Sequence, residues 1–363
     1  MTRLPPLARR SKTLSASLGL GEKLFASSEE RRFAEAIETG LVEVEEGLLR
    51  EVAFADDMAD VTSRYLLEAG GKRIRPVLTL LTAQLGEGNN HAVITAAQAV
   101  EITHLASLYH DDVMDEAEMR RGVPSAQNVW GNSVAILTGD LLFARASKLV
   151  ASLGEGAIKL QADTFERLCL GQLHETIGPR GDDDPIEHYL QVLADKTGSL
   201  IAAAAQMGVV FSNAPEEFAA PVVAFGEKIG VAFQLIDDVI DLAEPEAETG
   251  KAQGTDLRSG VATLPLLFLR RAALTDPDAA ALLARIVRTG EADVSAGFPA
   301  SDSPEDELAA AIAELRAHDV TAETLDEARR WADEAVAALA PLPEGPVKLA
   351  LTKFAEAVVE RST

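Results

Sequence analysis

The sequence predicts an all-α protein, and three observations predict it. Apolar residues recur at helical spacing along most of the 363 residues, and no sustained alternation of apolar and polar residues interrupts them. No hairpin dipeptide stands between two strand-like runs. The hydrophobic fraction of 47% is mostly aliphatic, with aromatic residues at only 5%, which suits a core of packed helices. A single large helical-bundle domain over residues 31–363, behind a flexible basic tail at 1–30, accommodates this length.

Taken in order, Arg3, Arg9, Arg10 and Lys12 come with no acid before residue 22 and without the apolar core of a secretory signal. A disordered tail is the bland reading, and a weak contact with an anionic membrane surface is its alternative. Phe33 to Ala69 reads as helix. Gly70-Gly71-Lys72-Arg73-Ile74-Arg75-Pro76 breaks it: two glycines end one helix, and Pro76 suits the first turn of the next. Helical patterning resumes over Val77–Leu85, Ala92–Asp115, Val134–Leu153, His188–Gly208 and Phe218–Leu242. It follows again from Leu264, over Leu308–Leu342 and over Val347–Arg361. Ala243–Gly260 is a long loop of the kind that often serves as a lid, and Thr289–Glu307 reads as a surface insertion.

Composition closes several routes. A formal charge of −25 argues against a nucleic-acid partner. The single Cys169 excludes an internal disulfide and a cysteine-based zinc site, and its place in a helical run predicts a buried thiol. No apolar stretch reaches the length of a membrane span, and the expected compartment is the cytoplasm.

The chemistry concentrates in two stretches. Asp111, Asp112 and Asp115 close an apolar helix at i, i+1 and i+4, with His104 two turns below Asp111 on nearly the same face. Like charges at that spacing cost a helix about 0.2–0.5 kcal/mol per pair, which a hard divalent cation would offset. The pattern returns 126 residues later as Asp237, Asp238 and Asp241 after Phe233-Gln234-Leu235-Ile236. One such cluster is easily a solvated helix end. Two with the same spacing, each behind an apolar run, point to a polyvalent metal–phosphate site in one central cavity, where six carboxylates would need cations to stay ionised. Lys72, Arg73 and Arg75 beside a helix N-terminus suit a diphosphate, and so do Arg120 and Arg121 just past the first cluster. Lys196, in a mostly apolar helix, should find an anion.

Five segments together resemble the trans-isoprenyl diphosphate synthase (polyprenyl synthetase) family: Gly70–Pro76, Glu101–Gly122, Lys196-Thr197-Gly198, Phe233–Asp241 and Gly250–Pro265. They occur in the family's order. The resemblance implies the isoprenoid synthase fold and, by its motif variants, a long-chain bacterial type similar to actinobacterial members. It implies that Lys72, Arg75, His104 and Arg121 bind the diphosphate of isopentenyl diphosphate and that Arg120 clamps the allylic diphosphate. Asp111 and Asp115 would hold two Mg²⁺ with Asp112 in support. Asp237 would hold a third, with Asp238 and Asp241 near it. Lys196, Thr197, Gln234 and Lys251 would face the allylic substrate. The implied reaction ionises the allylic C–O bond with Mg²⁺, Lys and Arg stabilising the departing diphosphate; the double bond of isopentenyl diphosphate then attacks, and a proton leaves. A homodimer is also implied. One departure stands out: where the family often has a lysine, this chain has Val261.

Product length follows from the helix before Asp111. Ser107 and Ala106, four and five positions back, are small, and Thr103, Ala99 and Val100 follow. A turn rises about 5.4 Å, close to one extended isoprene unit, so several open turns predict a product of roughly six to ten units. Phe143 and Leu142 are the candidates for the floor. The family reading then suggests the side-chain precursor of menaquinone. Three other readings compete. A medium-chain (farnesyl or geranylgeranyl) synthase keeps the chemistry. A terpene cyclase would leave Lys72 and Arg75 without purpose. A partner subunit of a two-component synthase typically loses its Asp motifs, and both are intact here.

Overall fold

In the computed structural model, residues 28–243, 254–258, 260–290 and 304–361 are described; the other positions, Lys251 and residues 1–27 of the basic tail among them, lie outside the described residues. By its packing the chain divides into two compact units. One comprises Met1–Leu168, Ser199–Glu227 and Val336–Phe354, the other Cys169–Gly198, Lys228–Ala335 and Ala355–Thr363.

The helices are α1 (Ser28–Glu51), α2 (Asp57–Glu68), α3 (Ile74–Ala83), α4 (His91–Met114), α5 (Ala126–Trp130), α6 (Asn132–Leu153), α7 (Glu155–Ile177) and α8 (Pro185–Leu193). A π-helical turn, Ala194–Gly198, leads into α9 (Ser199–Phe211), and a 3₁₀ turn, Glu216–Phe218, leads into α10 (Ala219–Asp241). Then come α11 (Thr255–Arg258), α12 (Leu264–Ala272), α13 (Pro277–Gly290), α14 (Pro304–Ala317), α15 (Asp319–Ala338) and α16 (Pro346–Glu360). The all-α expectation therefore holds among the described residues.

The differences from the expectation are local. The run expected from Phe33 to Ala69 is two helices, because the Asp56 carboxylate caps α2 by accepting the Ala59 N–H at 2.9 Å, while Asp60 accepts the Phe54 N–H at 3.0 Å. Leu308–Leu342 is likewise broken at His318. A small hairpin also appears where none was expected: β1 (Met119–Arg120) pairs antiparallel with β2 (Val123–Pro124). Its two-residue turn has φ of 53° at Arg121 and 77° at Gly122, the paired positive values of a type I′ turn. Cys169 is exposed rather than buried. On α7 the buried stripe runs through Ala157, Gln161, Thr164, Leu168 and Gln172, and Cys169 falls one residue off it. The stretch Glu216–Asp241 is long and apolar enough to cross a membrane, against the expectation that none would be. More than half of its most apolar window is buried in protein, and it ends in the second Asp cluster, as a core helix would.

In the first unit, α4 is the central helix. Every residue from Val93 to Thr103 is buried. Consistent with burial on all sides, it shows no polar face. Its N-terminus is capped by Asn90, whose side chain accepts the Val93 N–H at 3.0 Å. The pair α3 and α9 packs backbone to backbone. Thr79 and Thr82 on α3 each donate a hydroxyl at 2.9 Å to the carbonyls of Ala204 and Ala205 on α9. A Cβ on Gly208 would lie 2.1 Å from Thr82 Oγ1 and 2.3 Å from the Thr79 carbonyl oxygen. Gly208→Ala is thus expected to destabilise the protein by about 1–3 kcal/mol, although alanine is the better helix former. An unchanged melting temperature would contradict the close approach.

The second unit has its own core. Leu235, Ile236 and Val231 of α10 pack with Leu264, Phe268 and Leu269 of α12, Leu282 and Ile286 of α13, and Ile312 and Leu315 of α14. That packing holds the last two turns of α10, and with them Asp237, Asp238 and Asp241, in place.

Candidate active site

In the first unit the Gly70–Pro76 segment and the end of α4 form one cluster of charge. Gly70 and Gly71 have φ of 110° and 144°, and Arg73 follows in the left-handed region at 52°. This backbone separates three cations that sequence treats alike. Lys72 is exposed, Arg75 is half-buried, and Arg73 is only 6% exposed. Arg73 pairs with Glu45, reaches Glu101 Oε1 at 3.3 Å, and donates to the carbonyls of Gly70 (3.1 Å) and Leu67 (3.2 Å). Burial opposes its charge, but Glu101 and Glu45 more than restore it, so its pKa lies above the ordinary arginine value. Arg121 donates to the carbonyls of Leu66 (2.7 Å) and Gly70. Two arginines therefore donate to carbonyls at and just past the C-terminal end of α2, where helical N–H donors run out.

Around them the electrostatics favour an anion. Burial depresses the Arg75 guanidinium to about 10, with Arg121 adding to the depression and Glu101 and Asp111 opposing it. Its Nε is buried without a partner among the described residues. His104 is held well below its ordinary pKa, first by burial and then by Arg75, Arg121, Arg120 and Arg73, so at pH 7 it is neutral and has one N–H to give. Asp111 is half-buried, Asp115 is exposed, and Asp112 is fully buried. Asp112 Oδ1 accepts from Arg120 Nε at 2.5 Å, and its Oδ2 is buried with no partner among the described residues. Burial raises its pKa, with the Arg120 charge opposing.

Below Asp111 the faces of α4, α6 and the start of α7 pack in layers. The His110 ring lies 5.5 Å from that of Phe143, which lies 4.4 Å from Phe165. Phe143, the sequence's candidate for a tunnel floor, is thus level with the last turns of α4. Next, the Ala106 carbonyl meets α6 at Gly139, and Gln161 donates to Thr103 Oγ1 at 2.7 Å. Deeper still, Ala99 and Val100 pack with Val150, Ala157, Leu200, Ala204 and Met207. Ala106 is fully buried, and Ser107 is 7% exposed.

In the second unit each aspartate of the second cluster has a different partner. Asp237 Oδ1 accepts from Arg361 at 2.9 Å. Asp238, 3% exposed, accepts the Tyr189 hydroxyl at 2.7 Å and the Leu264 N–H at 3.4 Å. Burial holds its pKa well above the carboxylate range, and that of Tyr189 well above the phenol range. Asp241 takes the N–H groups of Thr255 (3.2 Å) and Asp256 (3.1 Å), capping α11. Lys196 finds its anion in Glu175 of α7. The π-helical turn that carries Lys196 and Thr197 comes so near α7 that a Cβ on Gly171 would meet the Lys196 nitrogen at 2.6 Å. Such turns often mark functional positions. Gln234 is half-buried on α10, and Val261 is 40% exposed. Sequence reasoning missed Tyr189, Arg361, Glu45 and Phe165. All four act across long sequence separations, which no local pattern encodes.

The carboxylates suit a magnesium ion. They are hard oxygen donors, and the Asp112 oxygen without a partner has spare capacity. Among the described residues no three His, Cys, Asp or Glu side chains form a ready-made cage. Magnesium, which keeps waters and takes one or two carboxylates plus phosphate, needs none.

Residues 57–296 match the polyprenyl synthetase family, and the chain belongs to it; it is a prenyltransferase with the all-α isoprenoid synthase fold. It is 42% identical to the nonaprenyl diphosphate synthase of Mycobacterium tuberculosis over 97% of this chain and 99% of that one. Among solved structures, it is similar to a decaprenyl diphosphate synthase from Rhodobacter capsulatus (TM-score 0.77, 31% identity, covering 92% of this chain and 99% of that one). A geranylgeranyl pyrophosphate synthase from Corynebacterium glutamicum, complexed with calcium and isoprenyl diphosphate, is also similar (TM-score 0.76, 39% identity, 94% and 99% covered).

Proposed function

We propose that this chain is a long-chain all-trans-polyprenyl diphosphate synthase. It would add isopentenyl diphosphate head to tail onto an allylic diphosphate. The observation that carries the reading is the juxtaposition, in one unit, of a phosphate cradle (Arg75, His104, Lys72) with the carboxylates of Asp111, Asp112 and Asp115. The nonaprenyl and decaprenyl relatives support a long product, as do the small residues Ala106 and Ser107 on α4.

Bound Mg²⁺, about three ions per chain, would supply positive charge against the diphosphate as the allylic C–O bond opens. Asp111 and Asp115 would hold two of them, with Asp112, fixed by Arg120, in support. Asp237 would hold the third, aided by Asp238 and Asp241. Arg75 and neutral His104 bind the diphosphate of isopentenyl diphosphate with Lys72 and Arg121, and Arg120 binds that of the allylic partner. The partly desolvated Arg75 makes stronger charge-assisted bonds than an exposed one. Lys196, Thr197, Gln234 and Lys251 line the allylic side, and the apolar helices exclude water that would quench a carbocation. We read residues 31–363 as this catalytic domain, working as a cytoplasmic homodimer, with weak membrane contact by the basic tail. The expected product is the side-chain precursor of a respiratory quinone, menaquinone.

The test is incubation of the purified protein with radiolabelled isopentenyl diphosphate, Mg²⁺ and geranyl, farnesyl or geranylgeranyl diphosphate, followed by chain-length analysis. A ladder ending at six to ten isoprene units is expected, on the order of one unit per helical turn. Ala106→Phe is expected to shorten it. Products ending at three or four units would establish the medium-chain alternative. A requirement for a second protein would establish the two-component one.

A further inference from the structure

Arg361 stands just past the end of α16, far in sequence from every motif, yet it pairs with Asp237. Its Nη2 lies 2.9 Å from Asp237 Oδ1, and its guanidinium carbon lies 4.5 Å over the Phe233 ring. Phe233 and Asp237 are four residues apart on α10, so one face of that helix grips the guanidinium with a ring below and a carboxylate beside it. The grip is partly shielded: the Arg361 side chain is 27% exposed and that of Asp237 is 35% exposed. Among the described residues, Arg361 Nη1 is buried with no hydrogen-bond partner. A guanidinium has five donors in a rigid fork and cannot lose its charge, so an unspent donor beside an acidic cluster is capacity for one more acceptor.

We propose that Arg361 is a built-in counter-cation of the second Asp cluster. It holds the Asp237 carboxylate in place while no divalent metal is bound, and gives it up when metal and diphosphate arrive, turning its remaining donor to the phosphate oxygens. Asp237 and Asp241, four residues apart on one helix face, repel one another. Asp238 and Asp241 spend their oxygens on Tyr189 and the α11 N-terminus, whereas Arg361, partly exposed and just past the end of α16, can withdraw from Asp237 without breaking the core. The inference rests on the proposed role of Asp237 as a metal ligand. It adds that the ligand is kept in reserve by a cation in the same chain, so that metal alone binds there against a competitor.

The experiment uses the full-length protein and Mn²⁺ as a paramagnetic probe, titrated alone and with inorganic diphosphate. Arg361→Gln is expected to tighten Mn²⁺ binding in the absence of diphosphate about two- to fivefold, the range an ion pair at a partly exposed site allows. Arg361→Lys keeps the charge and is expected to stay near the parent protein. Arg329→Gln removes an equal charge from α15 and controls for the overall field. A merely structural Arg361 would loosen metal binding on removal, and that result would overturn the proposal. So would unchanged binding in Arg361→Gln, or an equal tightening in Arg329→Gln. Asp237→Asn separates the two levels of the argument. If it weakens Mn²⁺ binding with diphosphate while Arg361→Gln changes nothing, the counter-cation role falls and the metal role of Asp237 stands. If Asp237→Asn leaves binding unchanged both with and without diphosphate, the metal role falls, and the inference with it.

Discussion

Asp111→Asn is expected to abolish most condensation activity while leaving the fold as stable as before. The change keeps shape and removes one charge. The Asp111 backbone still accepts the Asp115 N–H at 2.8 Å at the end of α4, and relief of the i,i+4 repulsion with Asp115 adds a few tenths of a kcal/mol if anything. What is lost is one hard ligand for the metal that offsets developing charge. Removing a single group of that kind costs about 10²–10³ in turnover. Incorporation of labelled isopentenyl diphosphate at saturating Mg²⁺ measures the loss, and a thermal melt measures the stability. Asp112→Asn is expected to behave differently. Asp112 is fully buried and holds Arg120, so its removal also destabilises the protein, by about 1–3 kcal/mol. A loss below tenfold in Asp111→Asn would remove Asp111 from the metal site.

The contrast between these two neighbours shows how far the sequence reaches. The i, i+1, i+4 spacing was enough to place Asp111 and Asp115 together at the end of a helix, and the repeat at Asp237–Asp241 was enough to infer a shared chemistry. That Asp112 turns into the protein and Asp111 does not depends on Arg120, which a type I′ turn folds back onto the helix. The Arg-Gly pair gives little warning of that turn, because a non-glycine residue in the left-handed region is uncommon. The same limit applies to Lys72, Arg73 and Arg75. As a string they are three equivalent cations. In space Arg73 turns inward to Glu45 and Glu101, residues 28 positions away on either side. Glu101 was the visible clue: an acid embedded in the otherwise apolar and neutral run of α4 must find a partner. Cys169 shows the converse error. A helical run of mixed character does not fix the buried face to within one residue, and a single step of about 100° carried the thiol to the outside.

Arg73→Met should therefore be the most damaging single change in the first unit, although Arg73 is expected to touch no substrate. Its removal leaves Glu101, 3% exposed, without its ion pair to Arg73, and leaves the Leu67 carbonyl without the Arg73 donor. Breaking a buried pair from one side costs about 3–5 kcal/mol, read as a fall in the urea midpoint. Lysine should not rescue it, because one ammonium cannot serve two carboxylates and two carbonyls that a planar fork reaches together. Glu101→Gln in the Arg73→Met background should recover part of the loss, since no uncompensated buried charge remains; that recovery, and not the single loss, identifies the ion pair as the cause. The functional consequence follows from the backbone. Arg73 sits at φ 52°, between Lys72 and the first turn of α3, a conformation that costs a non-glycine residue energy and persists only while its neighbours enforce it. Once those contacts are gone, Lys72 and Arg75 lose their fixed spacing. Below the unfolding transition, Arg73→Met is then expected to raise the KM for isopentenyl diphosphate more than it lowers kcat, because the cradle loosens while the carboxylates at the end of α4 stay where they are. A uniform loss of kcat with unchanged KM would mean that the turn does not position the cradle.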